Sequence, residues 1–590
     1  MKIKINRNIL WTQTFVNELS MLGVKYAALS PGSRNTPLTF AFANNKKIKT
    51  YINIDERSSG FFALGLAKAS GTPVAVVCTS GTATTELYPS IVEAYQQRVP
   101  LIICTADRPP ELLNRGANQT INQKNLYKNH IRFFKDAGLP CPTVARLNEL
   151  KRITQSAVTT ATTGSRGPVH INFPFRKPFE PQSYTDEVSY GILSPNLKAS
   201  DKKIAKRFCS GTELSDTKWL TRIYNYLIKK EKGLIIIGPD NYDREFLTNC
   251  KRLSEILKYP ILADGTSQIR FGSHKEGNII TNFDAFLRSD NFTAQNVPEI
   301  ILQFGRTITS KALDTFLHNI NPSRFMINEY GDWFDPSDKA TAAIACMPYQ
   351  FCEIMNKNIS STDFVRRSNN WLNTFKQAEK IADKVKKDVI DNSKFPNECR
   401  VINEILQSIP GDCRIMLSNS MPVRDFDYFA SYSRKKIVLY NNRGASGIDG
   451  ITSTALGIAE ASGKPTLLIT GDLAFYYDLN GLLAAKNYNI PLVTVLLNNN
   501  GGGIFEILPI SGYGEIFKKY FVAPHNLDFK HFIKAYGGNY FKITGWSNFK
   551  KTLKSAFSKN RFSVLEIKTN SSDSLKLRKD YWKTVGEKLN

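Results

Sequence analysis

No run of about 18 apolar residues occurs in this sequence of 590, so no membrane-crossing helix and no stable membrane insertion are expected. Its N-terminal stretch alternates Lys, Arg and Asn with Ile and lacks the apolar centre of a secretion signal, which makes the cytoplasm the expected address. The nine cysteines are odd in number, scattered and never spaced CxxC, so neither a disulfide framework nor a thiolate metal site is indicated. Cys78 and Cys104 end the apolar runs VAVVC and LIIC and read as small buried hydrophobes. The six histidines show no HxH or HExxH spacing, which leaves imidazole metal chemistry without support. Acidic residues are also few: 52 Asp and Glu stand against 78 Lys and Arg, a formal net charge of +26. A field of that sign can hold nucleic acid, an anionic membrane surface or anionic small molecules. Yet no RNP, zinc-finger or helix-turn-helix pattern accompanies it. Much of the excess is dispersed Lys, as in KKIAKR around Lys202 and KKTLKSAFSK around Lys550, which reads as solvated helix faces. No nucleic-acid partner is expected.

What is present is an ordinary globular composition, 42% hydrophobic and 22% charged, in a chain long enough for about two to four domains. The chain also repeats itself. ALGLAKASGTP ends at Pro73 and ALGIAEASGKP ends at Pro465, 392 positions later. Each copy runs into an apolar strand, VAVVCTSG from Val74 and TLLITGD from Thr466. Each then passes through a helical stretch to a second strand, PLIICTADRPP from Pro100 and PLVTVLLNNNGGG from Pro491, 391 positions apart. The shared order of elements marks a duplicated domain. Short Val/Ile/Leu strands alternating with helical segments predict α/β domains whose parallel sheets are covered on both faces. The middle of the chain reads the same way in GLIIIGPD, YPILADGTS and EIILQFGRTITSKAL. The expected architecture is α/β: three doubly wound parallel-sheet domains, at residues 1–185, 186–365 and 390–590, the first and third being the copies. Polar stretches near 181–230 and 356–395 read as linkers or surface helices.

Loops at the carboxyl ends of parallel strands are where ligands bind in such sheets. In the third domain these loops carry Gly471-Asp472-Leu473 and, one strand–helix–strand unit later, Asn498-Asn499-Asn500 followed by Gly501-Gly502-Gly503. Asp472 and Asn499 lie 27 positions apart, which puts both at one edge of the sheet. A carboxylate and an amide oxygen are hard ligands for an octahedral Mg²⁺ that also holds phosphate oxygens, and glycines let backbone N–H groups approach phosphate closely. The pattern resembles the diphosphate-binding motif of thiamine diphosphate enzymes; taken alone it also reads as a strand-end turn followed by an Asn-Gly turn. In the first domain Asn53-Ile54-Asp55-Glu56-Arg57 ends a strand just before ALGLAKASG. Thiamine diphosphate enzymes need a buried carboxylate to hydrogen-bond the aminopyrimidine ring, and the resemblance gives that role to Glu56. An isolated DER reads as a surface acid beside Arg57; the duplicated partner domain favours the cofactor.

Longer motifs narrow the resemblance. SPGSRNTP from Ser30, DRPPEL from Asp107, RGANQ from Arg115, NRGASGIDG from Asn442 and GGGIF from Gly501 together resemble the 2-succinyl-5-enolpyruvyl-6-hydroxy-3-cyclohexene-1-carboxylate synthases of menaquinone biosynthesis. The likeness is strong over both outer domains and weak over the middle one. It implies that the first and third domains are thiamine diphosphate-binding folds and that the cofactors are thiamine diphosphate with Mg²⁺ or Mn²⁺. It also implies a reaction that joins 2-oxoglutarate to isochorismate with loss of carbon dioxide. Cofactor contacts are implied at Glu56, Ser420, Ile448, Gly471, Asp472, Asn499, Gly501, Ile504 and Phe505. Asp472, Asn499 and Gly501 would be the metal ligands, and Ile448 the apolar prop of the bent cofactor. Substrate contacts are implied at Ser33, Arg34, Arg108, Asn118, Gln119, Lys311, Arg424 and Arg443. Arginine forks suit substrates with several carboxylates, because each offers two parallel charged hydrogen bonds. The family sets the Glu-bearing domain of one subunit against the diphosphate domain of another, so a homodimer or homotetramer with interface active sites is implied.

One departure stands out. The family commonly carries a Lys-Arg pair after the strand matching ILQFG, and here the stretch reads Thr309-Ser310-Lys311-Ala312-Leu313. Lys311 keeps one positive contact and Ala312 offers none, which leaves Arg306 as a candidate to compensate. Leu473, where the wider superfamily has glycine, matches this family's own GDL. Two other functions stay open at this point. An acetolactate-synthase-like thiamine enzyme would share Glu56 and Asp472 but has no use for so many arginines. A basic nucleic-acid-binding protein would need no cofactor at all.

Overall fold

The computed structural model describes residues 2–193, 217–240, 242–272, 277–362, 364–365 and 368–589; the KKIAKR stretch around Lys202 lies outside them. Three six-stranded parallel sheets organise the described residues. In spatial order the first runs Lys49–Ile52, Tyr26–Leu29, Val74–Cys78, Leu101–Asp107, Val169–Pro174, Phe133–Asp136. The third runs Ile437–Asn441, Cys413–Leu417, Thr466–Gly471, Leu492–Asn498, Ser563–Lys568, Asn539–Lys542. Counted along the chain, both sheets have the order 2-1-3-4-6-5, so the duplication seen in the sequence is a duplication of topology. The middle sheet, with strands Gly233–Ile237, Ile261–Ala263, Ile279–Ile280, Ile300–Phe304, Ser323–Asn328 and Ala342–Ala345, has the order 3-2-1-4-5-6 of dinucleotide-binding folds. The α/β expectation of three doubly wound sheets holds.

Apolar runs become central strands because helices cover both faces. Every residue of Val74–Cys78, Leu101–Asp107 and Leu492–Asn498 is buried. The polar stretch near 356–395 forms the helix Asn370–Asp391, whose Leu372, Phe375, Ala378, Ala382, Val385 and Ile390 recur at helical spacing and are buried. This helix packs against the last one, Ser571–Leu589, and its apolar face joins a core continuous with the third sheet. At the other end of the chain, Lys2–Ile5 pairs antiparallel with Asp186–Ser189. Among the described residues no helix is long and apolar enough to cross a membrane.

The two copies meet through the repeated motif itself. The helix Glu56–Ser70 holds ALGLAKAS and the helix Ile451–Ser462 holds ALGIAEAS, and the two lie against each other. Each ends on a left-handed glycine, Gly71 at φ 66° and Gly463 at φ 58°. At the crossing Gly65 faces Gly457, its counterpart in the other copy. A Cβ on Gly65 would collide with the Thr454 carbonyl, and one on Gly457 would collide with the Phe62 carbonyl. The backbones therefore touch, and no side chain fits between them. Gly65→Ala should lower the thermal midpoint, because overpacking of about 1–3 kcal/mol exceeds the roughly 1 kcal/mol of helix propensity gained. Gly586→Ala, in the last helix with open space around it, should leave the midpoint unchanged or raise it. Differential scanning of the two variants beside the parent protein checks the contrast; equal midpoints would remove the close crossing.

Candidate active site

All the loops singled out from the sequence leave the carboxyl ends of strands, as doubly wound sheets require. Glu56 is the first residue of its helix rather than the last of a strand. Asp55 caps that helix, its Oδ1 accepting from the Ser58 N–H at 3.1 Å. The Glu56 carboxyl is half-buried. Burial raises its pKa, and the charges of Asp55 and Glu86 push the same way. A carboxyl that holds its proton to higher pH than usual suits hydrogen bonding to a ring nitrogen. Beside this turn a cleft of about 230 Å³ opens between the first and third domains, lined in part by Asn53, Ile54, Asn480 and Tyr536. The Asn53 Nδ2 is buried there without a partner.

In the third domain, parallel pairing of Thr466–Gly471 with Leu492–Asn498 brings the two motif loops side by side. Asp472 opens the helix Asp472–Tyr477 and is buried. Its Oδ1 accepts from the Leu473 N–H at 2.7 Å and its Oδ2 from the Gly501 N–H at 3.0 Å. Burial raises the Asp472 pKa, against the pull of these donors. The Asn499 Nδ2 donates to Glu398 Oε1 at 3.0 Å, while its Oδ1 is buried with no partner. A buried acceptor left open beside a buried carboxylate is the donor set of a hard divalent cation, and a carboxylate with two accepted bonds still has lone pairs to offer. Gly471 has open space where a Cβ would stand. The residues present thus fit a hard divalent cation.

His525 belongs to this place and had no signal in the sequence. Its Nε2 stands 3.2 Å from Asp472 Oδ2, and its Nδ1 accepts from the Leu527 N–H at 3.0 Å, which puts the proton of the neutral ring on Nε2. Ile504 and Phe505 lie on the turn Gly503–Ile507; the Phe505 ring meets Phe521 at 5.7 Å, and Gly502 N–H donates to the Val522 carbonyl at 2.7 Å. Ile448 sits in the loop before Ile451–Ser462, a loop held by Asn419, whose Nδ2 donates to the carbonyls of Asn442 (2.7 Å) and Gly447 (2.6 Å). Ser420 precedes the helix Met421–Phe429 at φ 72°, a strained value for a residue with a side chain.

The four arginines divide between two sheet edges. Arg34 and Arg108 share the edge of the first sheet. Arg34 Nη1 donates to the Phe175 carbonyl at 2.6 Å, and Arg108 donates to Ser80 Oγ and, at 2.6 Å, to the Asn118 carbonyl. Burial and the neighbouring Arg108 charge lower the Arg34 pKa to about 10. Gln119 is tied to the same strand end through Nε2 to the Ser80 carbonyl at 2.9 Å. Ser33 is exposed in the loop with Arg34. Arg424 and Arg443 share the edge of the third sheet; burial lowers the Arg443 pKa, with Asp264 pulling it up and Arg424 pushing it down. Arg424 Nη1 donates to the Ser420 carbonyl at 2.7 Å. Carboxylates act at both edges as well, Asp107 on Arg34 and Arg108, and Asp264, Asp427 and Glu93 on Arg443.

Some implied residues are not brought together. Lys311 is exposed and pairs with Asp314 of its own helix at 2.7 Å, and Ala312 is packed in the core. Arg306 Nη1 donates to the Gln96 carbonyl at 2.7 Å. Within one chain, the turn carrying Glu56 abuts the far end of the helix Asp472–Tyr477. Arg57 donates to the Tyr477 carbonyl at 3.0 Å, Ser58 to Asp478 Oδ1 at 3.1 Å, and Asn480 to Asp55 Oδ2 at 3.0 Å. Five residues of helix, about 8 Å, separate Tyr477 from Asp472.

Comparison with known proteins agrees with this geometry. Residues 11–126 match the thiamine pyrophosphate enzyme N-terminal TPP binding domain, 427–567 the C-terminal TPP binding domain, and 210–417 the middle domain. The chain is 37% identical over 571 residues to the 2-succinyl-5-enolpyruvyl-6-hydroxy-3-cyclohexene-1-carboxylate synthase of Bacillus cytotoxicus, covering 96% of this chain and 95% of that one. It is 36% identical to the synthase of that name from Haloquadratum walsbyi, over 97% of each. Among solved structures, the thiamine diphosphate-dependent 4-hydroxybenzoylformate decarboxylase of Rhodococcus jostii superposes with a TM-score of 0.68 over 95% of this chain and 99% of that one; at 14% identity this likeness is one of fold. On near-full-length identity to relatives of one name, and on three matched domains, the chain belongs to the 2-succinyl-5-enolpyruvyl-6-hydroxy-3-cyclohexene-1-carboxylate synthase family of thiamine diphosphate enzymes.

Proposed function

We propose that this protein decarboxylates 2-oxoglutarate and adds the succinyl unit in a 1,4 sense to isochorismate, giving 2-succinyl-5-enolpyruvyl-6-hydroxy-3-cyclohexene-1-carboxylate. Family membership supports the reading. The observation that carries it is the placing of arginines at the carboxyl edges of the two sheets that hold Glu56 and Asp472 with Asn499, Arg34 and Arg108 at the first, Arg424 and Arg443 at the third. Two anionic co-substrates need two such clamps; an acetolactate-synthase-like reaction on pyruvate does not.

When bound, thiamine diphosphate supplies the carbon nucleophile and electron sink that release of carbon dioxide from a 2-oxo acid requires. The chain's own residues do the rest. Glu56 holds a proton at an aminopyrimidine ring nitrogen, a task favoured by its raised pKa. Asp472, the free Asn499 Oδ1 and the Gly501 carbonyl would hold Mg²⁺ or Mn²⁺, which would in turn neutralise the diphosphate. Arg34 and Arg108 on one edge, and Arg424 and Arg443 on the other, orient carboxylates through charged hydrogen bonds. Ile448, Ile504 and Phe505 exclude water.

A complete site takes two subunits in this reading, as the family arrangement implies. The apolar side chains around the Glu56 turn, Ile52, Ile54, Tyr476 and Tyr477, are between 42% and 67% exposed, an arrangement that a second copy would cover. We infer a homodimer or homotetramer. The described cysteines are free, which accords with the reducing cytoplasm.

Protein loaded with thiamine diphosphate and Mg²⁺ should consume 2-oxoglutarate in an isochorismate-dependent way and form the joined adduct, followed by chromatography. Turnover of pyruvate, or decarboxylation indifferent to isochorismate, would reject the second substrate. Glu56→Gln should keep the cofactor through desalting yet lose about 100-fold or more in kcat; near-normal turnover would remove Glu56 from the reaction. EDTA, or Asp472→Ala, should release the cofactor on the same column, and retention without metal would remove Asp472 from its binding.

A further inference from the structure

The amide of Asn499 is oriented from behind by residues far away in the chain. Its Nδ2 donates to Glu398 Oε1 at 3.0 Å, and its Oδ1 is buried and open. Glu398 opens the helix Glu398–Ser408 and is itself buried. Its Oε1 also accepts from Thr569 Oγ1 at 2.9 Å, and its Oε2 accepts from Arg578 Nη2 at 2.8 Å. Arg578, on the last helix and buried too, uses Nε and Nη2 on Asp425 at 2.7 and 2.6 Å. Asp425 lies on the helix that carries Arg424.

A carboxylate offers acceptors only, so Glu398 can be satisfied by the NH₂ of the Asn499 amide and not by its oxygen. Turning the amide over would set oxygen against oxygen beneath, and would point NH₂ at the place where a cation needs a lone pair. We propose that Glu398, fixed by Arg578, is a positioning residue that holds the Asn499 oxygen toward the divalent cation and thereby sets the affinity of the site for metal. This inference rests on the metal assignment made under the proposed function.

The reasoning fixes what substitution does. In Glu398→Gln the new amide turns its oxygen to Arg578, because the charged donor binds it more strongly. Its NH₂ then faces Asn499, whose amide must turn over. In the double variant Glu398→Gln/Asn499→Asp that NH₂ meets a carboxylate oxygen, and the other oxygen of residue 499 again faces the cation. The double variant leaves residue 398 neutral beside Arg578, so recovery does not come from a carboxylate at that position.

The test is Mn²⁺ uptake by the full-length protein in the presence of thiamine diphosphate, read from loss of the free Mn²⁺ paramagnetic resonance signal, with the thermal midpoint of the metal-free protein measured alongside. Glu398→Gln should bind Mn²⁺ about 10–100-fold more weakly, and the double variant should return near the parent affinity. Parent-like affinity in Glu398→Gln overturns the proposal, as does a folded double variant no tighter than the single one. Should Glu398→Gln not fold, the double variant alone decides: near-parent uptake supports the proposal and absent uptake overturns it. Asp472→Ala separates the two readings. If the parent takes up no Mn²⁺, or Asp472→Ala takes it up equally, the metal assignment falls and this inference with it. If Asp472→Ala loses uptake while Glu398→Gln keeps it, only the positioning role falls.

Discussion

The seating of the Glu56 turn against the third domain depends on one close approach, where the helices Glu56–Ser70 and Ile451–Ser462 meet backbone to backbone at Gly65 and Gly457. Packed interiors deform little, and a contact without side chains has no rotamers through which to yield. The crossing therefore sets where the Glu56 turn stands relative to the third sheet. It also explains why duplication left so clear a trace in ALGLAKASG and ALGIAEASG. Each copy of the motif packs against the other, so the shape of one is a requirement of its partner.

On that frame the sheet edges concentrate groups that are uncomfortable without a ligand. Burial raises the pKa values of Glu56 and Asp472 and lowers those of Arg34 and Arg443. Such arrangements cost stability in the free protein. They are tolerated where charges that arrive with cofactor, metal and substrates complete them, and groups already in place need little reorganisation when that happens. The left-handed Ser420 at the head of its helix is a backbone instance of the same localised cost.

Behind the third sheet edge the constraint is held in polar form. Arg578 joins Asp425 beneath Arg424 to Glu398 beneath Asn499, so the last helix clamps two walls of the site at once. Glu506, on the turn after the glycines, accepts from Ser571 and Ser572 at the start of that helix. Thus the C-terminal helix, which carries none of the residues that would touch a ligand, fixes the side chains and the loop that would.

Much of the fold and part of the site were legible in the sequence. Burial on both faces of a parallel sheet requires continuous Val/Ile/Leu runs, and ligand loops must follow them, so the three sheets, the duplication, GDL followed by NNNGGG, and DER before its helix could be read directly. Local spacing also put Asp472 and Asn499 at one sheet edge. Tertiary structure alone decided the rest. His525, Glu398 and Arg578 carry no periodic or motif signal, because a hydrogen bond between residues 101 or 180 positions apart leaves no mark on local pattern. The burial of Ala312, and the docking of the Glu56 turn through Arg57 and Ser58 onto Tyr477 and Asp478, follow from how finished domains pack. That packing depends on shape across the whole interface, which no short stretch of sequence contains.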